Sequence, residues 1–196
     1  MSRLWVVVLV LVSLASQVSA RTIRVPSDVG TVTRAVFEAV EGDTVSVEPG
    51  TYVERFSIFD KNIVLRGEMG ADATTIDGSV SVGNVITIGS TTTNTVNRSM
   101  IVEDLTIRGG SFNPVAPEST GAAIYVNRSS PTIQRCNLTE NDGNAAGGFA
   151  AYFFSQPLIQ DCWIAYNGGG GIFVEVDTGS PGPAAEIRNC FVVRNM

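Results

Sequence analysis

The residues best suited to chemistry lie on one short segment, in which two carboxylates alternate with apolar side chains. Residues 171–177 read Gly-Ile-Phe-Val-Glu-Val-Asp. If this segment is a strand whose aliphatic residues point inward, Phe173, Glu175 and Asp177 share its outer face. Two neighbouring carboxylates can act as general acid and general base, as they do in the cleavage of glycosidic bonds. Glu175 and Asp177 are therefore the candidate catalytic residues.

An aromatic surface beside these carboxylates would suit a carbohydrate. Alignment of the repeats described below puts Tyr125 and Asn127 two strands away from Phe173 on the same face, with Phe153 between them. Aromatic rings stack on the apolar faces of sugars, and amides bond their hydroxyl groups. These four residues form the predicted ligand-binding face. The alternative is a row of aromatic side chains that covers the sheet, beside carboxylates that are simply solvated.

Internal repeats must position these residues. Residues 131–141, 157–167 and 185–195 align without a gap and share the pattern Ile-x-x-Cys-x-apolar-x-x-Asn. A weaker copy at 102–110 has Leu105 in the cysteine position. Self-similarity at a period of 26 to 28 residues indicates a stacked repeat architecture. The equivalent residues of the three full copies are Cys136, Cys162 and Cys190, followed by Asn141, Asn167 and Asn195.

The spacing within each repeat predicts short strands. Apolar and polar residues alternate, except for a break between Ile133 and Cys136 that predicts a bend. A coil of this length without a helix predicts an all-β fold, a right-handed parallel β-helix of about five or six coils. Equivalent residues would then stack about 4.8 Å apart. A leucine-rich repeat is the competing solenoid, but its Leu-x-x-Leu-x-Leu spacing is missing.

A short helix is predicted ahead of the first coil. Residues 31–40 read Thr-Val-Thr-Arg-Ala-Val-Phe-Glu-Ala-Val, and Thr31 is the expected N-cap. Such a helix would cover the open end of the solenoid, as the caps of repeat proteins do. Its apolar face is predicted to contain Val32, Ala35, Val36, Ala39 and Val40.

The repeated cysteines and asparagines have structural interpretations. In equivalent inward positions, the cysteines are predicted to form a ladder of small apolar side chains. A disulfide between neighbouring coils is the alternative, and it would leave one of the three thiols over. The asparagines are predicted to form a turn-stabilising ladder, because Asn tolerates left-handed backbone and bonds its own backbone. The chain has no histidine, and we predict no metal site and no cofactor.

The first 20 residues have the pattern of a secretory signal peptide. Arg3 precedes a run of Val and Leu that ends near Leu14, and Val18-Ser-Ala20 has small residues at the cleavage-like positions. An anchoring transmembrane helix is the alternative, but polar residues interrupt the run before it reaches the required length of about 20. We therefore expect cleavage after Ala20, a secreted, cell-surface or periplasmic location, and one β-helix domain over residues 21–196.

The net charge excludes some classes of partner. The chain has 13 basic and 19 acidic residues, a net charge of −6. An acidic chain without a basic cluster is a poor ligand for nucleic acid or for an anionic membrane surface. A polysaccharide or a cell-surface partner remains.

Several segments resemble the opening of the pectin lyase-like superfamily of right-handed parallel β-helix proteins. Residues 24–28 read Arg-Val-Pro-Ser-Asp, 42–54 read Gly-Asp-Thr-Val-Ser-Val-Glu-Pro-Gly-Thr-Tyr-Val-Glu, 61–67 read Lys-Asn-Ile-Val-Leu-Arg-Gly, and 75–78 read Thr-Ile-Asp-Gly. This opening is similar to that of pectin methylesterases and of many secreted β-helix proteins. The resemblance implies the fold over about residues 22–195.

The catalytic motifs of that superfamily do not carry over. The chain lacks the Gln-Asp-Thr-Leu segment of methylesterases and, without histidine, the Gly-His-Gly segment of polygalacturonases. Its carboxylates are scattered, unlike the calcium-binding clusters of pectate lyases. We therefore expect a secreted or surface protein that binds carbohydrate or presents a face to a partner. The alternative is a lyase, hydrolase or epimerase of acidic glycans.

Two further expectations concern the surface and the carboxyl end. Asn97, Asn127 and Asn137 begin sequences of the glycosylation type, Asn-x-Ser/Thr. The sequence stops one residue after a full repeat, which predicts a solenoid truncated at its C-terminus. Its last coil would expose Ile187, Cys190 and Val192, and such an edge would favour end-to-end self-association.

Overall fold

The computed structural model describes residues 19–92, 95–113, 120–175 and 185–196. Its strands are short and are joined by tight corners, as the alternation in the sequence predicts. In chain order the elements are β1 (Thr22–Val25), α1 (Val32–Glu38), β2 (Thr44–Val47), β3 (Gly50–Val53), β4 (Phe56–Phe59), β5 (Val64–Gly67), β6 (Thr74–Asp77), β7 (Ile86–Gly89), β8 (Ile101–Glu103), β9 (Thr106–Arg108), β10 (Ile124–Asn127), β11 (Thr132–Gln134), β12 (Asn137–Thr139), β13 (Phe149–Tyr152), β14 (Leu158–Gln160), β15 (Trp163–Ala165), β16 (Ile172–Val174), β17 (Glu186–Arg188) and β18 (Phe191–Val193).

The strands form three parallel sheets, and each coil gives one strand to each sheet. Sheet A has the order β1-β2-β5-β8-β11-β14-β17, sheet B has β3-β6-β9-β12-β15-β18, and sheet C has β4-β7-β10-β13-β16. In the part of the chain that the structure describes, β2 to β16 make five complete coils, and β17 and β18 begin another. This confirms the predicted parallel β-helix.

The corner between sheets A and B lies at the predicted break in alternation. The residue before each cysteine has left-handed backbone: φ is 51° at Arg135, 55° at Asp161 and 49° at Asn189. Asp104 has φ of 58° before Leu105, so the weaker copy bends in the same way. One left-handed residue reverses the inward–outward alternation, and the next side chain therefore points into the core.

The three cysteines are free and lie on successive coils, as predicted. The thiols of Cys136, Cys162 and Cys190 each lie 3.6–3.7 Å from a carbonyl oxygen of the preceding coil. Burial raises the pKa of the Cys136 thiol, and the adjacent Cys162 thiol raises it further. These side chains therefore act as core residues.

The repeated asparagines form the predicted ladder inside the solenoid. The Nδ2 atom of Asn141 donates to Oδ1 of Asn167, and Nδ2 of Asn167 donates to Oδ1 of Asn195, each at 3.0 Å. Backbone N–H groups of Asn141 and Asn167 donate to the same two oxygens at 3.1 and 3.0 Å. The expected reason was partly wrong, because the left-handed residue is the one before each asparagine, as at Glu140 with φ of 57°.

The helix α1 covers the first coil. Thr31 caps it by accepting a hydrogen bond from Arg34 N at 3.2 Å, as predicted. The Glu54 carboxylate accepts further hydrogen bonds from Val32 N and Thr33 N, and its charge favours this end of the helix dipole. The helix packs on β1, β2 and β4 through the predicted face, of which Val32, Ala35, Val36 and Ala39 are buried.

Val40 does not belong to that face. It is 47% exposed, because the helix ends at Glu38 and the chain has already become extended at Ala39.

Buried aliphatic side chains from the three sheets fill the solenoid, with Val45, Leu65, Val102, Ile133 and Ile159 stacked along sheet A. No helix among the described residues is long and apolar enough to span a bilayer.

The last coil is more open than the others. Ile187 is 50% exposed and Val192 is 45% exposed, whereas Cys190 is partly covered. End-to-end association through this coil stays a prediction. Of the predicted signal peptide, only Ser19 and Ala20 lie within the described residues, and its cleavage also stays a prediction.

Replacement of Asn167 by alanine tests the internal ladder. The side chain is 2% exposed, and its loss would remove the acceptor of the Asn141 backbone N–H and the donor to the Leu138 carbonyl, both in the core. Each buried polar group left unpaired costs about 1–3 kcal/mol, so we expect a comparable loss in the free energy of unfolding. Urea unfolding measures it. The exposed Asn144→Ala is the matched control and should change stability by less than about 0.5 kcal/mol; equal effects of the two substitutions would contradict the ladder.

Candidate functional site

The predicted carboxylate strand is β16, and its outer face begins as expected. Ile172 and Val174 pack against the core, so Phe173 lies on the outer side of sheet C. Glu175 follows directly after the strand, and its N–H donates to the Ala151 carbonyl at 2.9 Å. Asp177 lies outside the described residues, and the predicted pairing of the two carboxylates stays untested.

The aromatic row on sheet C exists, but its middle member differs from the prediction. Tyr125, Ala150 and Phe173 are in register on successive strands. The ring of Tyr152 fills the space beside Ala150, with its centroid 5.6 Å from that of Tyr125 and 5.0 Å from that of Phe173. The expectation that Phe153 lies between them is wrong, because β13 ends at Tyr152.

Phe153 belongs to a corner and not to the row. Its backbone is left-handed, with φ of 53°, and its side chain is 41% exposed. The Arg128 guanidinium carbon lies 5.3 Å from the centre of its ring, a cation–π contact. The Glu175 carboxylate accepts a hydrogen bond from Phe153 N at 3.3 Å and so holds this corner.

Two of the predicted ligand-binding residues are poorly placed to meet a ligand. Tyr125 is only 3% exposed and packs among Ala122, Ala150 and Tyr152. Asn127 is in register with Tyr152, and its Oδ1 is enclosed without a hydrogen-bond donor among the described residues. This face therefore fits the alternative in which aromatic side chains cover the sheet.

Sheet B carries a second aromatic pair that sequence analysis missed. Asn137, Trp163 and Phe191 are in register on β12, β15 and β18. The ring centroids of Trp163 and Phe191 are 5.7 Å apart, and the side chains are 42% and 64% exposed. Unlike Tyr125, these rings present open surface on which a flat apolar ligand can stack.

A groove of about 390 Å³ runs beside this pair, and we call it the Trp163 groove. One side of the groove is formed by the outward side chains of sheet B, and a second by the left-handed residues that precede the cysteines. The connection between β5 and β6 forms the third side. Its principal lining residues are Asp72, Arg135, Asn137, Asp161, Trp163, Asn189 and Phe191.

Amides hold the two carboxylates of the groove in position. Asn137 Nδ2 donates to Asp72 Oδ1 at 3.1 Å, and Asn189 Nδ2 donates to Asp161 Oδ1 at 3.3 Å. These contacts use part of the oxygens' capacity, because an ionised carboxylate accepts several hydrogen bonds. The remaining capacity can accept hydrogen bonds from the hydroxyl groups of a ligand.

The cation of the groove is already paired. Arg135 Nη2 lies 2.8 Å from Asp104 Oδ2 and 2.7 Å from Glu103 Oε2. The hydrogen bond to Asp104 is the main reason why the pKa of Arg135 is raised above its ordinary value. Its charge is thus largely compensated, and the groove offers carboxylates, amides and aromatic rings.

A signal for this groove was present in the repeats. The position directly after each cysteine points outward in all three copies, and it contains Asn137, Trp163 and Phe191. Asp72 had no such signal, because it comes from a connection outside the aligned repeats. Among the described residues, no group of three His, Cys, Asp or Glu side chains could hold a metal ion.

Substitution of Glu175 tests its placement beside the sheet C aromatic row. Burial raises the pKa of the Tyr152 phenol, and the Glu175 carboxylate raises it further. Glu175→Gln removes that charge but keeps an acceptor for Phe153 N, so the pKa of Tyr152 should move toward its ordinary value of about 10. Ultraviolet titration measures the change, and Tyr152→Phe identifies the step. An unchanged Tyr152 titration would contradict this arrangement.

Comparison with known proteins identifies the fold family. A family model described as a right-handed β-helix region matches residues 26–196, most of the chain. No curated protein matches the chain in sequence.

Two solved structures are similar, both of pectin methylesterase. One is a complex with hexasaccharide VII, with a TM-score of 0.48 and 14% identity, and the other is a mutant in complex with hexasaccharide IV, with a TM-score of 0.46 and 14% identity. Each match covers 81% of this chain and 66% of the other, so the chain spans slightly less than two thirds of the proteins that it resembles. The family model establishes the relationship, and the chain belongs to the right-handed β-helix family.

Proposed function

We propose that the protein binds a polysaccharide in the Trp163 groove. The observation that carries this proposal is the exposed pair of Trp163 and Phe191, whose ring centroids are 5.7 Å apart beside a groove of about 390 Å³. The pair follows the solenoid axis from one coil to the next, so an extended glycan could stack successive sugar rings along it. Asn137, Asp72 and Asp161 supply hydrogen-bonding groups for the hydroxyls.

The charges of the groove favour a neutral glycan over an acidic one. Asp72 and Asp161 line it, and the guanidinium of Arg135 is committed to Glu103 and Asp104. A polyuronate would bring its own carboxylates toward these groups and toward a chain of net charge −6, which is unfavourable. A neutral polymer adds hydroxyl donors without this repulsion.

We infer that the protein acts outside the cytoplasm, at the cell surface or in a secretory compartment. The motivation is the signal-peptide pattern of residues 1–20, together with a groove suited to an extended extracellular polymer. Binding without catalysis is the preferred role, because the catalytic motifs of the superfamily are missing from the sequence.

The test is a binding screen against neutral and acidic polysaccharides, with parallel assays for new reducing ends and unsaturated products. The chain has two tryptophans, and Trp5 belongs to the predicted signal peptide. In the processed protein, therefore, tryptophan fluorescence would report on Trp163 alone. We expect a saturable fluorescence change with a neutral glycan and no turnover. Turnover would overturn the binding-only role, and preference for a polyuronate would overturn the charge argument.

Trp163→Ala should weaken glycan binding by about tenfold or more, because it removes one of the two stacking surfaces. A tenfold loss corresponds to about 1.4 kcal/mol of binding free energy. Isothermal titration calorimetry measures it without the lost fluorophore. Phe37→Ala is the matched control, because Phe37 lies on α1 away from the groove and is 80% exposed. Equal affinities of the Trp163 and Phe37 variants would rule out this groove as the binding site.

A further inference from the structure

The start of the first sheet A strand lies against a buried carboxylate. Asp43 is 0% exposed, and it comes directly before β2, as Arg21 comes directly before β1. Its Oδ1 accepts a hydrogen bond from the backbone N of Arg21 at 3.0 Å. Its Oδ2 accepts from the Arg21 guanidinium at 3.1 Å and from Val40 N at 3.0 Å.

Arg21 joins three elements at this point. Its carbonyl accepts from Thr44 N at 2.9 Å at the start of β2, and its Nη2 donates to the Glu38 carbonyl at 2.7 Å at the end of α1. Ala20, the residue before it, is exposed. The backbone nitrogen of Arg21 is thus held against Asp43, next to an exposed residue.

Hydrogen bonds and positive charge already stabilise the ionised form of Asp43. Burial alone raises the pKa of Asp43, but the hydrogen bonds from Val40 and Arg21 and the charge of Arg21 outweigh burial and lower it. The Arg21 side chain is 55% exposed, so part of its charge is screened by solvent. A positive charge in direct contact with a buried carboxylate stabilises it further, because solvent screens the interaction little there.

Signal-peptide cleavage would place a further positive charge in direct contact with Asp43. The predicted cut separates Ala20 from Arg21. Hydrolysis of this peptide bond by water leaves a carboxylate on Ala20 and converts the amide nitrogen of Arg21 into an α-ammonium group. The hydrogen bond to Asp43 already exists when Ala20 is present, so cleavage adds charge to a contact whose geometry is set.

We propose that the peptide bond between residues 20 and 21 is a processing site. The α-ammonium group of Arg21 that cleavage produces pairs with the buried Asp43 and stabilises the first coil. The precursor makes the same contact with a neutral amide. Processing would therefore stabilise the folded solenoid after export, in addition to releasing the leader.

The stability that this ion pair adds depends on pH, because the amine must be protonated to carry its charge. An α-amino group has an ordinary pKa of about 7.7–8.0, and a buried carboxylate partner raises its pKa in the folded state. The added stability is complete below the ordinary pKa and is lost as the pH rises through the raised value.

Other charged groups face Asp43 and are common to both forms of the chain. They are the guanidinium of Arg21 and the ammonium of Lys61, whose pKa is lowered by burial and partly restored by Asp43. Near the end of α1, the Glu38 carboxylate pairs with Arg34 and the Glu41 carboxylate accepts from Asn62. A comparison of processed and extended chains cancels their contributions.

The experiment expresses the full chain in an exporting host and reads the N-terminus of the product by intact mass. The stability of the chain that begins at Arg21 is then compared with that of a chain that retains Ala20, and with an Nα-acetylated form of the first. We expect an N-terminus at Arg21 and a Tm about 2–4 °C higher for the free α-amine at pH 7. The advantage should vanish at about pH 10 or above, where the amine is neutral.

Asp43→Asn provides the partner control. In this background the processed and extended chains should have equal Tm values. If Asp43→Asn does not fold, the acetylated form keeps the proposal testable, because acetylation removes the charge and leaves Asp43 in place. Equal stability of the free, acetylated and Ala20-retaining chains at pH 7, or an exported product that begins elsewhere, would overturn the proposal.

Discussion

The whole molecule depends on parallel pairing between residues that are one coil apart. Each strand takes its backbone partners from the preceding and following coils, as Ile133 does with Val102 and Ile159. Every coil must therefore repeat the outline of its neighbour, and its corners must fall at matching points. Where the connection is longer, as between β9 and β10, the register resumes at the next strand. The Trp163 groove is possible because the connection between β5 and β6, which carries Asp72, lies beside an otherwise repetitive sheet.

The matched corners explain why side chains of one kind form columns. A left-handed residue at one position of each coil turns the following side chain inward, and so cysteines or a leucine fill one core column. The next position along the chain faces outward in every coil, and its column changes from Asn137 to Trp163 and Phe191. Core columns are constrained by volume, whereas outer columns are free to differ. The same geometry therefore supplies both the stability of the fold and the variable surface on which binding depends.

The repeats were sufficient to predict the fold, the cysteine column and the asparagine column, because each is a direct consequence of periodicity. The helix was predicted from its spacing, although its end at Glu38 excluded Val40. The predictions were wrong at positions that the repeat pattern does not determine. Phe153 was assigned to the aromatic row because the sequence does not reveal that β13 ends at Tyr152. The groove was missed because it joins residues of the repeats to Asp72, which belongs to none of them.

The asparagine column has a direction. Each amide has its oxygen toward the preceding coil and its NH₂ toward the next, from Gly110 N through Asn141 and Asn167 to Asn195. The amide dipoles are consequently aligned along the solenoid axis, and each polarises its neighbours, so that the column is stronger than the sum of its bonds. On the outer face a second column runs in the opposite sense, because Glu103 can only accept: Gln134 donates to it, and Gln160 donates to Gln134. The solenoid thus has two columns of side-chain amides whose dipoles point in opposite directions along the axis, one column in its core and one at its surface.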